Sequence, residues 1–348
     1  LVADRAEQLA RLLTSETHKP IAQSRNELAG ALDRISFVIE ATPSAMADEV
    51  VLDDPAAGMR EVIRREPLGV VVNVSAWNYP WFVGTNVFAP ALATGNAVLY
   101  KPSELCPRTG EAIGELLAAA GVPEGVFAVC TGAGEVGAAL VDAVVTEGLD
   151  GVFFTGSYAT GRRIAEAVAP ALVPVVLELG GKDPAYVTDD VDVAAAAAGL
   201  ADGAFYNAGQ SCCAVERIYV HRTVAEAFVG AFVATVEGFV VGDPTDDATY
   251  LGPLSRPAQL EVLEAQVADA VAKGATLRCG GARLDRPGAF FAPTVLTDVD
   301  HTMDVMREES FGPVIGIMVG ESDDEAVEKM NNTAYGLTAG VYTNDATP

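Results

Sequence analysis

Basic residues are scarce in this 348-residue sequence, in which 22 lysines and arginines stand against 48 aspartates and glutamates. The formal net charge at neutral pH is −26. A protein that binds DNA or RNA needs a basic surface stripe, so nucleic acid is not an expected partner. An anionic cofactor would need hydrogen-bond donors placed locally around it.

Cysteine and histidine are also few. The sequence has five cysteines, an odd number of which two are adjacent, and this is not the pattern of a disulfide framework. We therefore expect a reducing, cytoplasmic location. The three histidines, His18, His221 and His301, lie in no metal-binding or triad spacing. No metal site is expected, and the case for a cysteine–histidine hydrolase is weakened.

Long apolar runs are missing as well. The longest stretches, AFVATVEGFVVG and AVAPALVPVVLELGG, are interrupted by Glu, Pro or Gly before they could cross a hydrocarbon core of roughly 30 Å. The first residues, LVADRAEQLARLLTSETHK, carry charges throughout and have no signal-peptide core. We expect neither a membrane partner nor export. The chain starts with Leu and ends soon after the strand-like LTAGVYT, which suggests a fragment.

The order of the apolar segments indicates an α/β protein. Apolar spacing predicts two helices within residues 1–40, and DEVVLD and MREVIRRE around DPAAG predict an antiparallel hairpin. Short apolar runs then alternate with helical patterns: GVVVNV, NAVLYK, GVFAVCTG, GVFFTG and VPVVLELGG. This alternation predicts a parallel sheet with ligand-binding turns at the carboxyl ends of its strands. A second series, with RIYVH as a strand between helices, follows Gly180, and the chain length favours two domains.

Two turns are candidates for binding a pyrophosphate. TGAGEVG places Gly132, Gly134 and Gly137 in a GxGxxG pattern after a strand. The acidic residue expected about twenty positions later is missing, so a tight strand-to-helix turn is the favoured interpretation. FTGSYATG is the better candidate, because Thr155 or Ser157 can cap a helix whose first N–H groups would bind an anion.

The segment LYKPSE, after another strand, is a third candidate for cofactor binding. Lys101 offers a cation and Glu104 a bidentate acceptor suited to a ribose diol, so the pair matches the two ends of an adenosine. Lys and Glu beside a proline also commonly decorate a loop surface.

The segment NAGQSCCAVER contains the candidate nucleophile. Gly209 permits a close turn and AVERIYV indicates a buried strand, so we expect Cys212 at the strand entrance and Cys213 pointing to the opposite side. A disulfide between the two would be strained. The other cysteines are interpreted as inert, buried side chains: Cys106, Cys130 and Cys279.

Two polar residues could assist a nucleophile. Glu178 ends the apolar run VPVVLELGG, where partial desolvation would raise its pKa toward the range of a general base; a solvent-facing strand end is an equally good interpretation. Asn78 follows the strand GVVVNV and could donate to an oxyanion, which is worth roughly 3 to 4 kcal/mol. It could also be only a turn residue.

Six segments, in this order, resemble motifs of the aldehyde dehydrogenase superfamily across nearly the whole chain: SAWNYP, TGNAVLYKPSE, FTGSYATG, LELGGK, NAGQSCCA and EESFGPV. The resemblance implies that Cys212 is the nucleophile, since it lies two residues after the Gln of the GQ pair. Asn78 and the Cys212 backbone N–H would hold the oxyanion. Glu178 would activate the water that releases the acid, as in the hydrolytic, non-acylating members.

The resemblance also assigns residues to a cofactor and a substrate. Glu104 would favour NAD, with NADP less suited because a carboxylate repels a 2′-phosphate. Tyr206 lies where relatives that oxidise succinic semialdehyde often place Arg, so an apolar, aromatic or amino aldehyde is favoured. The implied cofactor-binding residues are Trp77, Lys101, Glu104, Gly156, Ser157, Gly161, Glu309 and Phe311. The implied substrate-pocket residues are Tyr79, Tyr206, Ser211 and Cys213.

The implied architecture has a Rossmann-like NAD-binding domain at residues 1–46 and 68–180 and a second α/β, catalytic domain at 181–348. A hairpin at 47–67 would be a bridging and oligomerisation element, in a homodimer or homotetramer of the full-length protein. Parts of both termini of the family are expected to be absent. The implied reaction oxidises an aldehyde to the acid through a thiohemiacetal and a thioester. The alternatives are a cysteine-dependent thioester hydrolase or acyltransferase, and an inactive fragment of the dehydrogenase.

Overall fold

A computed structural model of the chain describes residues 1–345. It divides into two compact units. The first comprises Leu1–Glu16 and Ser24–Glu178, and the second comprises Thr17–Gln23 and the described residues from Leu179 onward. Residues 1–46 are predicted to belong to the first domain, but Thr17–Gln23 belongs to the second unit. Within that unit, the backbone N–H of Ile21 donates to the carbonyl of Pro244 over 2.8 Å. The last three residues of the predicted 181–348 domain lie outside the described residues.

The chain begins with the two predicted helices and the predicted hairpin. Helices α1 and α2 span Ala6–Thr17 and Ile21–Ala45, and strands β1 and β2 span Glu49–Asp54 and Met59–Ile63. The two strands pair antiparallel, from Glu49 opposite Ile63 to Asp54 opposite Met59. Nearly all side chains of both strands are exposed, apolar ones included.

The rest of the first unit is a parallel sheet with helical crossovers. Its order is β5-β4-β3-β6-β7, so the five predicted strands are confirmed. Continuous valine-rich runs form these strands because helices cover the sheet. The strands are β3 (Val70–Val74), β4 (Ala97–Lys101), β5 (Phe127–Val129), β6 (Gly151–Thr155) and β7 (Val175–Glu178). The helices between them are α3 (Pro80–Ala93), α4 (Pro107–Ala119), α5 (Gly134–Thr146) and α6 (Tyr158–Val168).

The second unit has a mixed sheet of order β10-β11-β12-β9-β8-β13, parallel except for the antiparallel pair β10 and β11. Its strands are β8 (Asp183–Val187), β9 (Val215–His221), β10 (Thr276–Cys279), β11 (Thr294–Thr297), β12 (Val314–Gly320) and β13 (Gly340–Tyr342). Its helices are α7 (Val193–Phe205), α8 (Ala225–Glu237), α9 (Gln259–Ala272), α10 (Asp304–Arg307) and α11 (Asp323–Asn331).

Only β9 and the strand-like segment around β13 are predicted from sequence in this second sheet. Strand β8 escapes prediction because Asp183 and Pro184 at its start are ordinary turn residues, although all five of its side chains are buried. Over the described part of the chain, no helix combines the length and apolar character needed to cross a membrane.

Candidate active site

The turn between β6 and α6 has the features of an anion-binding helix start. Of the two predicted caps, Ser157 is the one used: its side chain accepts from the backbone N–H of Thr160. Gly161 is buried in the first turn. A Cβ atom at Gly156 would lie 2.5 Å from the Phe154 ring, so a larger residue would require that ring to move. The first N–H groups of a helix have no acceptor within it, and they point toward any ligand placed at this end.

Lys101 and Glu104 lie together after β4. The Lys101 side chain is buried, and its Nζ donates to the carbonyl of Pro102 over 3.0 Å and lies 3.8 Å from the Glu104 carboxylate. Glu104 is exposed and available to a ligand. Gly137 lies beside them, since a Cβ there would be 3.5 Å from the Lys101 side chain. The TGAGEVG turn thus packs next to Lys101, a closeness that sequence spacing does not reveal.

The SAWNYP segment connects β3 to α3. Asn78 is buried, at 4% exposure, while Trp77 and Tyr79 are partly exposed. Pro80 is the first residue of α3, where its missing N–H costs nothing. The segment therefore lies at the carboxyl end of a central strand of the sheet.

Glu178 does not have the predicted partly desolvated environment. It is the last residue of β7, and its side chain is exposed. The physical reason is the strand order, because β7 is an edge strand whose side chains alternate between partly buried and exposed. The exposure of Glu178 agrees with the solvent-facing interpretation of this strand end, and its role as a base stays a prediction.

A strained turn precedes the two adjacent cysteines. Asn207, Ala208 and Gly209 all have φ between 54° and 71°, and such conformations persist only where the surroundings hold them. A Cβ at Gly209 would lie 2.3 Å from the carbonyl oxygen of Gly312. The buried Gln210 closes the turn by donating to the Asn207 carbonyl over 3.0 Å and accepting from the backbone N–H of Ser255 over 3.0 Å.

Cys212 and Cys213 do not point in opposite directions, so that prediction is wrong. They lie in a turn closed by the backbone N–H of Ala214, which donates to the Ser211 carbonyl, and the alternation of a strand starts only at Val215. The two thiols lie close enough for each to influence the ionisation of the other. Cys212 is half-buried and Cys213 is exposed.

The contact between the thiols makes one of them easy to ionise. The neighbouring Cys212 thiol lowers the pKa of Cys213 to about 5, and Cys213, together with burial, raises the pKa of Cys212. The Ser211 hydroxyl lies 3.4 Å from the Cys213 sulfur. The pair thus favours a thiolate at Cys213 and disfavours one at Cys212.

The LELGGK and EESFGPV segments meet within the second unit. The Glu309 carboxylate accepts from the Gly181 N–H over 3.2 Å, and a Cβ at Gly180 would lie 2.2 Å from its oxygen. Burial, with the charge of Glu216 as a smaller cause, raises the pKa of Glu309 to about 7. Phe311 is partly buried and has a φ of 46°.

Tyr206 belongs to an aromatic cluster at the end of α7. Its ring packs edge-on against Tyr250, with centroids 6.5 Å apart, and Tyr250 stacks on Phe239 at 4.1 Å. No group of three or more His, Cys, Asp or Glu side chains able to hold a metal ion is found among residues 1–345.

Comparison with known proteins gives consistent matches. A sequence profile described as the aldehyde dehydrogenase family matches residues 1–347. The betaine aldehyde dehydrogenase of Cereibacter sphaeroides is 40% identical over 349 residues, an alignment that covers 100% of this chain and 71% of that protein.

Two solved structures are similar throughout. The betaine aldehyde dehydrogenase of Staphylococcus aureus, in complex with NAD+, has 34% identity and a TM-score of 0.92, covering 99% of this chain and 68% of that one. An NADP-dependent enzyme of E. coli has 34% identity and a TM-score of 0.95, covering 99% of this chain and 71% of that one. Similar proteins thus include users of either nicotinamide cofactor.

Proposed function

The chain belongs to the aldehyde dehydrogenase family, and we propose that it oxidises an aldehyde to the carboxylic acid with NAD, through a thiohemiacetal and a thioester on Cys212. The observation that carries this proposal is the turn closed by Ser211 and Ala214, directly after the strained backbone of residues 207–209, which places the half-buried Cys212 beside the exposed Cys213. A nucleophilic cysteine must be reachable and must lose its proton. Cys212 is half-buried, and because its pKa is raised we propose that its proton passes to the neighbouring Cys213 during attack.

The first step is attack by the Cys212 sulfur on the aldehyde carbon. Cys213 is the neighbouring group whose pKa is lowered, and we assign it as the thiolate that takes the Cys212 proton as the carbon–sulfur bond forms. The oxygen of the thiohemiacetal becomes an oxyanion. We assign its donors as the Asn78 side chain and the Cys212 backbone N–H, which would be worth roughly 3 kcal/mol each.

The second half of the reaction releases the acid. Once the thiohemiacetal has lost its hydride, the Cys212 thioester must react with water. We assign Glu178 as the base that takes a proton from this water. Its exposure gives it direct access to water, and the Cys212 thiolate leaves as the acid forms.

The residues of the first unit suit an adenine dinucleotide. NAD, when bound, accepts the hydride. We assign Lys101 and Glu104 to the adenosine ribose; the exposed carboxylate beside a buried ammonium group fits a diol. The helix start of α6 fits a pyrophosphate, because its N–H groups lack helical acceptors and Gly156 leaves room for close approach. The remaining residues assigned to the cofactor are Trp77, Ser157, Gly161, Glu309 and Phe311.

The preference for NAD over NADP rests on Glu104. A carboxylate that accepts from the ribose hydroxyls would repel a 2′-phosphate. Because solved relatives use either cofactor, the preference is a proposal for this chain, and rates with the two cofactors test it.

The substrate is proposed to be an aldehyde without a carboxylate. Tyr206 and its aromatic neighbours would contact an apolar, aromatic or cationic group. The sequence relatives named betaine aldehyde dehydrogenases make betaine aldehyde the first compound to test. The other residues assigned to the substrate pocket are Tyr79, Ser211 and Cys213.

Self-association and a cytoplasmic location are further parts of the proposal. The exposed strands β1 and β2 carry apolar side chains on both edges of a two-stranded hairpin, which is a surface suited to pairing with a second copy. Light scattering of the purified protein tests for a homodimer or homotetramer, and a monomer at micromolar concentration would refute this part.

The decisive experiment measures reduced cofactor with a panel of aldehydes. Wild type and Cys213→Ala are expected to turn over, and Cys212→Ala to be inactive. Turnover in Cys212→Ala with an inactive Cys213→Ala would move the nucleophile to Cys213. Thioester hydrolysis by a protein that NAD does not protect against heating would favour the hydrolase alternative.

A further inference from the structure

Several charged side chains without a role in the proposed chemistry are buried in the second unit, and three of them lie close together. Lys182, Glu216 and Arg217 have exposures of 1%, 5% and 0%. Burying charges is costly unless each one is paired and hydrogen-bonded. Arg217 meets this condition through carbonyl oxygens, among them that of Lys182 at 2.8 Å. The arrangement around Glu216 is different, because two of its three donors are backbone amides of the segment that carries Glu309 and Phe311.

Glu216 uses both carboxylate oxygens. Its Oε2 accepts from Lys182 Nζ over 2.6 Å and from the backbone N–H of Ser310 over 2.8 Å. Its Oε1 accepts from the backbone N–H of Phe311 over 2.9 Å. Lys182 Nζ also donates to the Ser310 hydroxyl over 3.0 Å. The buried Glu216 carboxylate thus accepts hydrogen bonds from two consecutive backbone amides. The buried Lys182 ammonium group donates both to this carboxylate and to the Ser310 hydroxyl of the same segment.

The segment of Glu309, Ser310 and Phe311 has a backbone conformation that is unfavourable without these hydrogen bonds. Phe311 has a φ of 46°, which costs a residue other than glycine about 1 to 2 kcal/mol. The carbonyl side of the segment is also fixed: Gln259 donates to the Ser310 carbonyl over 2.6 Å and Gln266 to that of Glu309 over 3.3 Å. The surroundings therefore determine the backbone at Phe311, and Glu216 supplies both of the N–H acceptors.

We propose that Glu216, together with Lys182, is a positioning residue that holds Glu309 and Phe311 in the orientation needed to bind the nicotinamide half of NAD. This inference rests on the proposed function, which assigns Glu309 and Phe311 to the cofactor. A carboxylate suits the task because it offers two anionic acceptors to three donors. A glutamine would present its own NH₂ group to at least one of these donors.

The test compares Glu216→Gln with wild type in direct NAD binding by calorimetry and in steady-state kinetics. Loss of a charged acceptor for a buried amide predicts about tenfold weaker NAD binding and a similar rise in the KM for NAD. The rate of Cys212 alkylation by iodoacetamide is expected to stay within about twofold, since, among the described residues, the hydrogen bonds of Lys182 and Glu216 involve neither thiol. The matched control is Glu264→Gln, the same change at an exposed carboxylate paired with Arg283, and it should leave NAD binding unchanged.

A second variant separates positioning from stability. Lys182→Met/Glu216→Gln leaves no unpaired charge, so its denaturation midpoint should recover relative to Glu216→Gln. We expect NAD binding to stay weak in this double variant, and amide hydrogen exchange at Ser310 and Phe311 to be faster than in wild type. Recovery of NAD binding together with stability would show a merely structural role and overturn the proposal.

The two proposals fail in different ways. Normal NAD binding by Glu216→Gln, with a wild type that binds NAD and oxidises an aldehyde, would overturn the positioning role alone. A wild type that neither binds NAD nor oxidises any aldehyde would overturn the proposed function and the positioning role with it.

Discussion

At the scale of single residues, the nucleophile segment combines backbone strain with an unusual proton site. Ala208, an ordinary side chain in the left-handed region, sits between Asn207 and Gly209, and all three have positive φ. Gln210 and the close approach of Gly312 hold this backbone in place. The turn that follows brings two thiols into contact, where a strand would have separated them. The strained backbone at residues 207–209 is thus followed directly by the turn that holds the two thiols.

The thiol pair leads to a pH-dependent prediction. A hydrogen bond to a thiolate favours the charged form, so the first proton leaves the pair below the ordinary thiol pKa. Cys213→Ala removes the neighbour that contributes most to the raised pKa of Cys212, while the smaller effect of burial remains. The midpoint of Cys212 alkylation by iodoacetamide should therefore move to lower pH, as followed by mass spectrometry. Cys279→Ala, a thiol in β10, is the control, and an unchanged midpoint in Cys213→Ala would contradict the coupling between the two thiols.

At the scale of elements, α7 leads the chain to the nucleophile. This helix is rich in alanine and six of its side chains are buried. Its start is capped by Asp192, whose carboxylate accepts from the backbone N–H groups of Ala194 and Ala195 at 3.0 and 3.1 Å. Its end passes directly into the strained turn at Asn207. The stability of α7 therefore bears on the position of the turn.

Loss of this cap should destabilise the protein. Asp192→Ala leaves two N–H groups at the helix start without their acceptor, which costs about 1 kcal/mol of the free energy of unfolding. Asp192→Asn keeps an acceptor and should cost much less. Urea denaturation measures both, with Asp285→Ala, a change at an exposed loop aspartate, as the control. Equal losses in the Asn and Ala variants would show that Asp192 does not act as a cap.

At the scale of the whole molecule, the excess of acidic residues is the dominant electrostatic feature. A net charge of −26 makes the folded chain repel itself and repel an anionic cofactor. The helix start of α6 and the Lys101 ammonium group are local exceptions, since they offer donors within an acidic surface. Local donors thus oppose the repulsion that the whole chain exerts on a dinucleotide.

Salt should relieve this repulsion. Raising NaCl from about 0.01 M to about 0.15 M shortens the screening length from about 30 Å to about 8 Å. The thermal unfolding midpoint is therefore expected to rise, and NAD association to become faster. KCl at the same ionic strength is the control, because general screening does not depend on the cation. A midpoint that falls with both salts would mean that attractive ion pairs outweigh the repulsion.

Much of the first unit was predictable because its signals are local. Valine-rich runs followed by Gly or Pro mark β3, β4 and β6, and the hairpin has a turn sequence between alternating strands. In the second unit, turn-like residues open β8, and the sequence analysis missed it. The six segments that resemble family motifs also identified the candidate site residues, because each motif is short and the six occur in the family's order along the chain.

The sequence by itself determined the family, the alternation of strands and helices in the first unit, and the identity of the candidate nucleophile, since each depends on residues close together in the chain. Only the tertiary structure decided that Glu178 is exposed, because its strand lies at a sheet edge. It also decided that Cys213 contacts Cys212, because a turn replaces the expected strand. The role of Glu216 depends on Lys182 and Ser310, which are 34 and 94 positions away. Burial and hydrogen-bond partners are set by contacts between distant segments, and local spacing carries no information about them.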